Sequence, residues 1–166
     1  MKNFLHTISI LILIVLMDAC QHAESYPPEP QISLNSYSFG DDTSGYNIKV
    51  LKVKINFTDG DGDLFSQFKD TTTLRGKAHL TIYKKVGGDF VQVPDSFWSV
   101  PYNFTFPYDN VMDRNGQNKT QKGTIEFSTL FFPGYPFDTI QVGVTVMDMS
   151  FHQSNEVKLP KELILK

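Results

Sequence analysis

The chain has 166 residues, 40% hydrophobic and 13% aromatic, a composition too apolar for a disordered polymer and a length that suits one packed domain. Fifteen basic against eighteen acidic residues give a net charge of −3, and no block of like charge provides a nucleic-acid surface or a polybasic membrane patch. The single cysteine excludes an intrachain disulfide framework and a multi-cysteine zinc site.

In chain order, Lys2 is a short basic lead, residues 4–17 are mostly apolar, and small Ala19 precedes Cys20. About 14 apolar residues ending at Asp18 are too few to span a bilayer, which needs roughly 20, so residues 1–19 are expected to be a secretory signal. The stretch Leu16-Met17-Asp18-Ala19-Cys20 is similar to a bacterial lipoprotein signal, which implies that Cys20 is lipidated and is the first mature residue. Removing the signal leaves 147 residues at the same net charge, enough to bury a core without a disulfide or an obligatory metal. Residues 20–30, polar and with three prolines, read as a tether, and the domain is expected over residues 31–166.

In the first segment, Ile32 and Leu34 share one parity and Tyr37 and Phe39 the other, which predicts a strand with a break in face. Residues 46–57 show a similar switch, from Tyr46, Ile48 and Val50 to Leu51, Val53, Ile55 and Phe57, and predict a β-bulge or a change of sheet at Val50-Leu51. Ala78, Leu80 and Ile82 alternate, and Gly87-Gly88-Asp89 then turns the chain into residues 90–93, a hairpin signal. Further strands are expected at residues 124–130, at Thr139–Met147 with Ile140, Val142, Val144 and Val146 on one buried face, and at residues 157–159 before Pro160. No helical periodicity of convincing length occurs. Seven or eight short strands with turns between them predict an all-β antiparallel sandwich, its core including Val53, Ile55, Leu80, Ile82, Ile125, Val142, Val144 and Val146.

The most chemically loaded stretch is Asp59-Gly60-Asp61-Gly62-Asp63-Leu64. Three carboxylates at alternate positions suit a hard cation such as Ca²⁺, which takes six to eight oxygen ligands. The same residues also form plain Asp-Gly turns without any ion. The spacing is similar to the start of an EF-hand loop with Asp70 at its twelfth position, yet Leu64 stands where that loop requires glycine and no helices flank it. Asp148, at the end of the strand beginning at Thr139, is the candidate distal ligand, because two strand ends of one sandwich can meet. Aromatic clusters at residues 97–108 and 131–137 are expected to serve mainly as core, with Trp98 and Tyr135 as candidate exposed rings for a glycan or a protein partner. Catalytic signatures of the serine-hydrolase, zincin and phosphate-loop types do not occur. His79 and His152 are single residues without a ligand pattern nearby and are expected at the surface.

Several segments together resemble surface lipoproteins of Bacteroidota bacteria that carry one immunoglobulin-like domain. They are Cys20, the lead from Pro27 to Pro30, Phe57-Thr58-Asp59-Gly60-Asp61-Gly62-Asp63-Leu64, the stretch from Gly116 to Gly123, and Val144-Thr145-Val146-Met147-Asp148 with Ser154-Asn155. The resemblance implies an immunoglobulin-like sandwich at the outer membrane or cell surface and assigns no activity. The functional expectation is a lipid-anchored, non-enzymatic binding or accessory module, stabilised by Ca²⁺. Its alternative is a metal-dependent hydrolase that uses residues 59–63.

Overall fold

The computed structural model describes residues 26–43, 45–65, 76–97, 103–105 and 120–165. Cys20 and the expected signal, Asp70 and Trp98 lie outside them. The described elements are β1 (Gln31–Asp41), β2 (Lys49–Asp59), β3 (Lys77–Val86), β4 (Asp89–Gln92), a single 3₁₀ turn at Asp95–Phe97, β5 (Asn103–Thr105), β6 (Gln121–Phe131), β7 (Thr139–Met147), β8 (Val157–Lys158) and β9 (Leu163–Ile164). Three strands form one sheet in the order β1-β2-β6. The other sheet runs β4-β3-β7-β8, with β5 also paired to β3 and β9 to β7. All these pairings are antiparallel. This is an antiparallel β-sandwich, with the first, second and sixth strands opposed to the third, fourth, seventh and eighth as in immunoglobulin-like domains.

Alternation explains the packing. In β2, Leu51, Val53, Ile55 and Phe57 are buried while Lys52 between them is exposed. Leu80 and Ile82 of β3 and Val142, Val144 and Val146 of β7 meet them from the facing sheet, in one core cluster that also contains Ile125. Every one of the eight core residues expected from periodicity is buried. Phe104 of β5 stacks on Phe127 of β6 with ring centroids 4.9 Å apart, and this partly buried pair, one ring from each sheet, packs against the core, the packing role expected of Phe104.

Two expectations about parity separate. The break in β1 is a true irregularity: Leu34 opposes Ile55 but Ser36 opposes Lys54, which leaves Asn35 as the extra residue. That bulge lets Ile32 and Leu34, and then Tyr37 and Phe39, all face β2 residues of the core parity. The break expected at Val50-Leu51 is absent, because β2 pairs in continuous register with both neighbours from Lys49 to Asp59. Tyr46 and Ile48 instead belong to the preceding turn, where Gly45 and Asn47 adopt φ of 80° and 54°. In β7 the expectation of one buried face is also too narrow, since Gly143 and Thr145 are buried as well. The Glu156 side chain, which accepts a 2.6 Å hydrogen bond from the Tyr83 hydroxyl, occupies the space a Cβ on Gly143 would need.

The β3–β4 hairpin turns as expected, with φ of 61° at Gly87 and 102° at Gly88, a pair of left-handed residues that suits the right-handed twist of the strands. The two sheets are also tied at one edge by Asn155. Its side chain accepts a 2.9 Å bond from the Ile32 amide and donates a 2.9 Å bond to the Ile32 carbonyl. Asn155→Ala leaves both backbone groups without these partners and is expected to cost about 1–2 kcal/mol, read as a lower urea midpoint with an unchanged slope.

Candidate metal centre

Strand β2 ends at Asp59, and its core-facing parity carries the Asp59 side chain inward, where it is fully buried. Such a carboxylate needs compensation. One oxygen, Oδ2, accepts the Leu64 amide at 2.8 Å, which folds residues 59–64 into a compact loop. Gly62 allows this turn with φ of 71°. Leu64, at the position where an EF-hand has glycine, is itself fully buried, and Phe65 packs on Phe57 at 5.5 Å. The hydrophobic residues after the acidic ones therefore plug the end of the sandwich and fix the loop.

The second loop, after β7, comes to the same place. Asp148 is 1% exposed. Its Oδ1 accepts the His152 amide at 2.8 Å, and its Oδ2 lies 3.0 Å from His152 Nδ1. Phe151, with φ of 68°, makes the tight return possible at the cost of an unfavourable conformation for a bulky residue. The loops are joined directly: the Met149 amide donates to the Asp63 carbonyl at 3.3 Å, and the Ser150 hydroxyl donates to the Asp63 carboxylate.

Asp59, Asp61, Asp63 and Asp148 thus converge, each offering one carboxylate oxygen so that the four oxygens lie within 4.8 Å of one another. Oxygens bound at 2.3–2.6 Å on opposite sides of one Ca²⁺ are separated by about this distance. The expected distal carboxylate, Asp148, is brought to the loop. Buried Oδ1 atoms of Asp59, Asp61 and Asp63 have no hydrogen-bond partner among the described residues. Nor has the amide oxygen of Gln121, a residue 2% exposed and directly opposite Asp59 in the β2–β6 register. Directly opposed residues on one sheet face have Cβ atoms about 5 Å apart. Buried acceptors without donors are rare in folded proteins, and four of them, all acceptors, fit a hard cation with oxygen ligands.

Electrostatics follow from the crowding. Burial, reinforced by Asp61 and Asp63, pushes the Asp59 carboxyl up to about 7. Burial also raises Asp63, with Asp148 and Asp61 adding repulsion and the Ser150 hydroxyl opposing it. The hydrogen bond to Asp148 raises the His152 imidazole above its usual value.

His152 is the main departure from expectation. It lies at the surface as expected, half-exposed, but it is not isolated: its Nδ1 also lies 3.9 Å from Asp61, so that Asp61, Asp148 and His152 form a second overlapping group. Only the fold reveals it, since an Asp-x₃-His spacing in a loop carries no recognisable ligand pattern. Gln121 was equally hidden, although a long polar residue at the core parity of a strand is a usable signal. His79, the other single histidine, lies 3.4 Å from Asp95 on the outer side of β3.

Tyr135 is also placed differently from expectation. Rather than standing free, it packs on the core, edge-on against Phe131 at 5.1 Å and Phe137 at 6.0 Å. The exposed ring of that loop is Phe132. A cavity of about 420 Å³ lies here, at the sandwich end remote from the carboxylates, lined by Asp41, Asn47, Lys49, Phe131, Phe132 and Tyr135 among others.

Comparison of the chain with family models, curated proteins and solved structures gives no significant match.

Proposed function

We propose that this protein is a calcium-stabilised β-sandwich module, held at the outer membrane or cell surface by acyl chains on Cys20, and that it acts by binding rather than by catalysis. The observation that carries the calcium assignment is the convergence of four carboxylates, three of which, Asp59, Asp61 and Asp63, carry a buried oxygen with no donor among the described residues. An all-oxygen set with two fully buried members suits a structural Ca²⁺ better than a softer metal. The lipid assignment is supported by the position of Cys20 directly after the apolar run, and stable anchoring takes more than one acyl chain. Metabolic labelling with a fatty-acid probe is expected to mark the wild type and not Cys20→Ala. Equal labelling of both removes the anchor from the proposal.

For the partner, a glycan or a protein, the cavity beside Phe132 is the favoured place. It combines an exposed ring with an amide and the Asp41–Lys49 ion pair, an apolar surface beside a few polar groups of the kind ligand sites use. A metal-dependent hydrolase using residues 59–63 is the second reading, and His152 beside Asp148 and Asp61 favours it. Against it, His152 Nδ1 is engaged by Asp148, and Asp59 and Asp148 are sealed from solvent, whereas a catalytic metal keeps a position open to water and substrate. Metal-dependent turnover of ester or phosphoester substrates that is lost in His152→Ala would establish the hydrolase instead.

A further inference from the structure

We propose that the loop of residues 59–64 is a docking surface for the chain's own tether, residues 26–30, and that calcium in the loop keeps the tether docked. This rests on the calcium reading above. The tether is the only covalent link between the sandwich and the segment that contains Cys20, so its docking decides how far the domain stands from a membrane.

The contacts are specific to the metal loop. The Gly60 amide, between Asp59 and Asp61, donates to the Pro27 carbonyl at 3.0 Å. A Cβ on Gly60 would collide with the carbonyl oxygens of Tyr26 and Pro27, so the backbones approach more closely than any other residue permits. Gly60 does not have a left-handed φ. The loop itself would therefore accept alanine, and the glycine is required by the docked tether. From the other strand neighbour of β2, the Thr120 hydroxyl donates to the Gly60 carbonyl at 3.4 Å. Pro30 is buried. The tether is thus held at Gly60, and again at β1 where Asn155 grips Ile32.

Calcium bears on this contact because the residues flanking Gly60 are ligands in the proposed site. With no cation, the carboxylates of Asp59, Asp61 and Asp63 repel one another at short range in a poorly solvated place. The loop relaxes by opening, and the Gly60 amide moves away from Pro27. Five released residues, extended as a proline-rich segment, add roughly 15 Å of reach. Docked and released forms therefore differ in the height and freedom of the domain above its anchor.

The test is backbone hydrogen exchange on the full chain in detergent micelles, with millimolar calcium and with a chelator, alongside thermal melts. The Gly60 amide, which donates to Pro27 in the docked form, is expected to exchange at least about tenfold faster in chelator. Gly60→Ala is expected to exchange rapidly at the position-60 amide in both conditions while its Tm still rises with calcium, because the ligands are retained. A calcium-dependent rise in the wild-type Tm with no change in exchange at Gly60 overturns the docking and leaves the calcium site standing. No rise in the wild-type Tm overturns the calcium site and the docking with it.

Discussion

Calcium is expected to raise the Tm of the wild-type protein by roughly 10 °C when free calcium is about one hundred times Kd. A ligand that binds only the folded state adds RT ln(1 + [L]/Kd), about 2.7 kcal/mol at that ratio, and a domain of this size gains about 3–4 °C per kcal/mol. With a Kd on the order of 10⁻⁴ to 10⁻³ M, usual for extracellular modules, that ratio is reached at about 10–100 mM calcium, and millimolar calcium gives a smaller rise of about 1–5 °C. The gain comes from two sources in the same few ångströms. The cation supplies the missing partner of the buried oxygens of Asp59, Asp61 and Asp63, and it cancels the repulsion among carboxylates whose oxygens lie within 4.8 Å. Asp61→Asn combined with Asp63→Asn removes two of four charges and is expected to abolish the rise. Differential scanning calorimetry with calcium, magnesium and chelator measures it. A wild-type Tm that is the same in all three leaves the loop as an Asp-Gly turn.

The second large effect is an inversion at Asp59. In chelator at pH 8, Asp59→Asn is expected to be more stable than the wild type by on the order of 3 kcal/mol, whereas in saturating calcium the order reverses. Asparagine keeps a carbonyl oxygen to accept the Leu64 amide and removes the buried charge. The pH dependence fixes the sign. Asp59 titrates near 7 in the folded protein and near 3.9 when unfolded, so between these values the folded form holds a proton that the unfolded form has lost. Its contribution is fully present below about pH 4, declines as pH rises from 4 to 7, and is gone above 7. Asp63, raised in the same direction by burial, adds to the slope. In chelator the variant and the wild type should therefore be closest in stability below about pH 4, differ modestly at pH 5 and be furthest apart by pH 8. Calcium needs the ionised carboxylate, so its own stabilisation should grow over the same interval. Urea titrations at pH 5 and pH 8 give both differences. Equal stability of the two proteins at pH 8 in chelator would show that the Asp59 charge carries no penalty.

Much of the frame was legible in the sequence because strand faces repeat every two residues. The alternation in Thr139–Met147 and from Leu51 to Phe57 identified buried positions correctly, and Gly87-Gly88 marked a hairpin by its tolerance of left-handed φ. A parity break has two meanings, however. In β1 it is a bulge at Asn35, and before β2 it is a turn through Gly45 and Asn47, and local sequence does not separate a slipped register from a strand that has not yet begun. The aromatic residues were ambiguous for a similar reason. Tyr135 and Phe132 have the same kind of neighbours in the chain, and only packing puts one on the core and the other in solvent.

The sequence by itself determined that three carboxylates alternate in a turn after a strand, because those ligands are consecutive along the chain. Tertiary structure decided what the turn can hold. Asp148, 85 residues beyond Asp63, reaches the loop because β2 and β7 end at the same end of two facing sheets. Gln121 is carried opposite Asp59 by the β2–β6 register, His152 is returned to Asp148 by a tight turn, and Tyr26 and Pro27 lie against Gly60 only once β1 has paired with β2. Local spacing specifies a chain's own turn; the burial that leaves its oxygens without donors comes from residues distant in sequence, whose positions are set by strand pairing and the closing of the core.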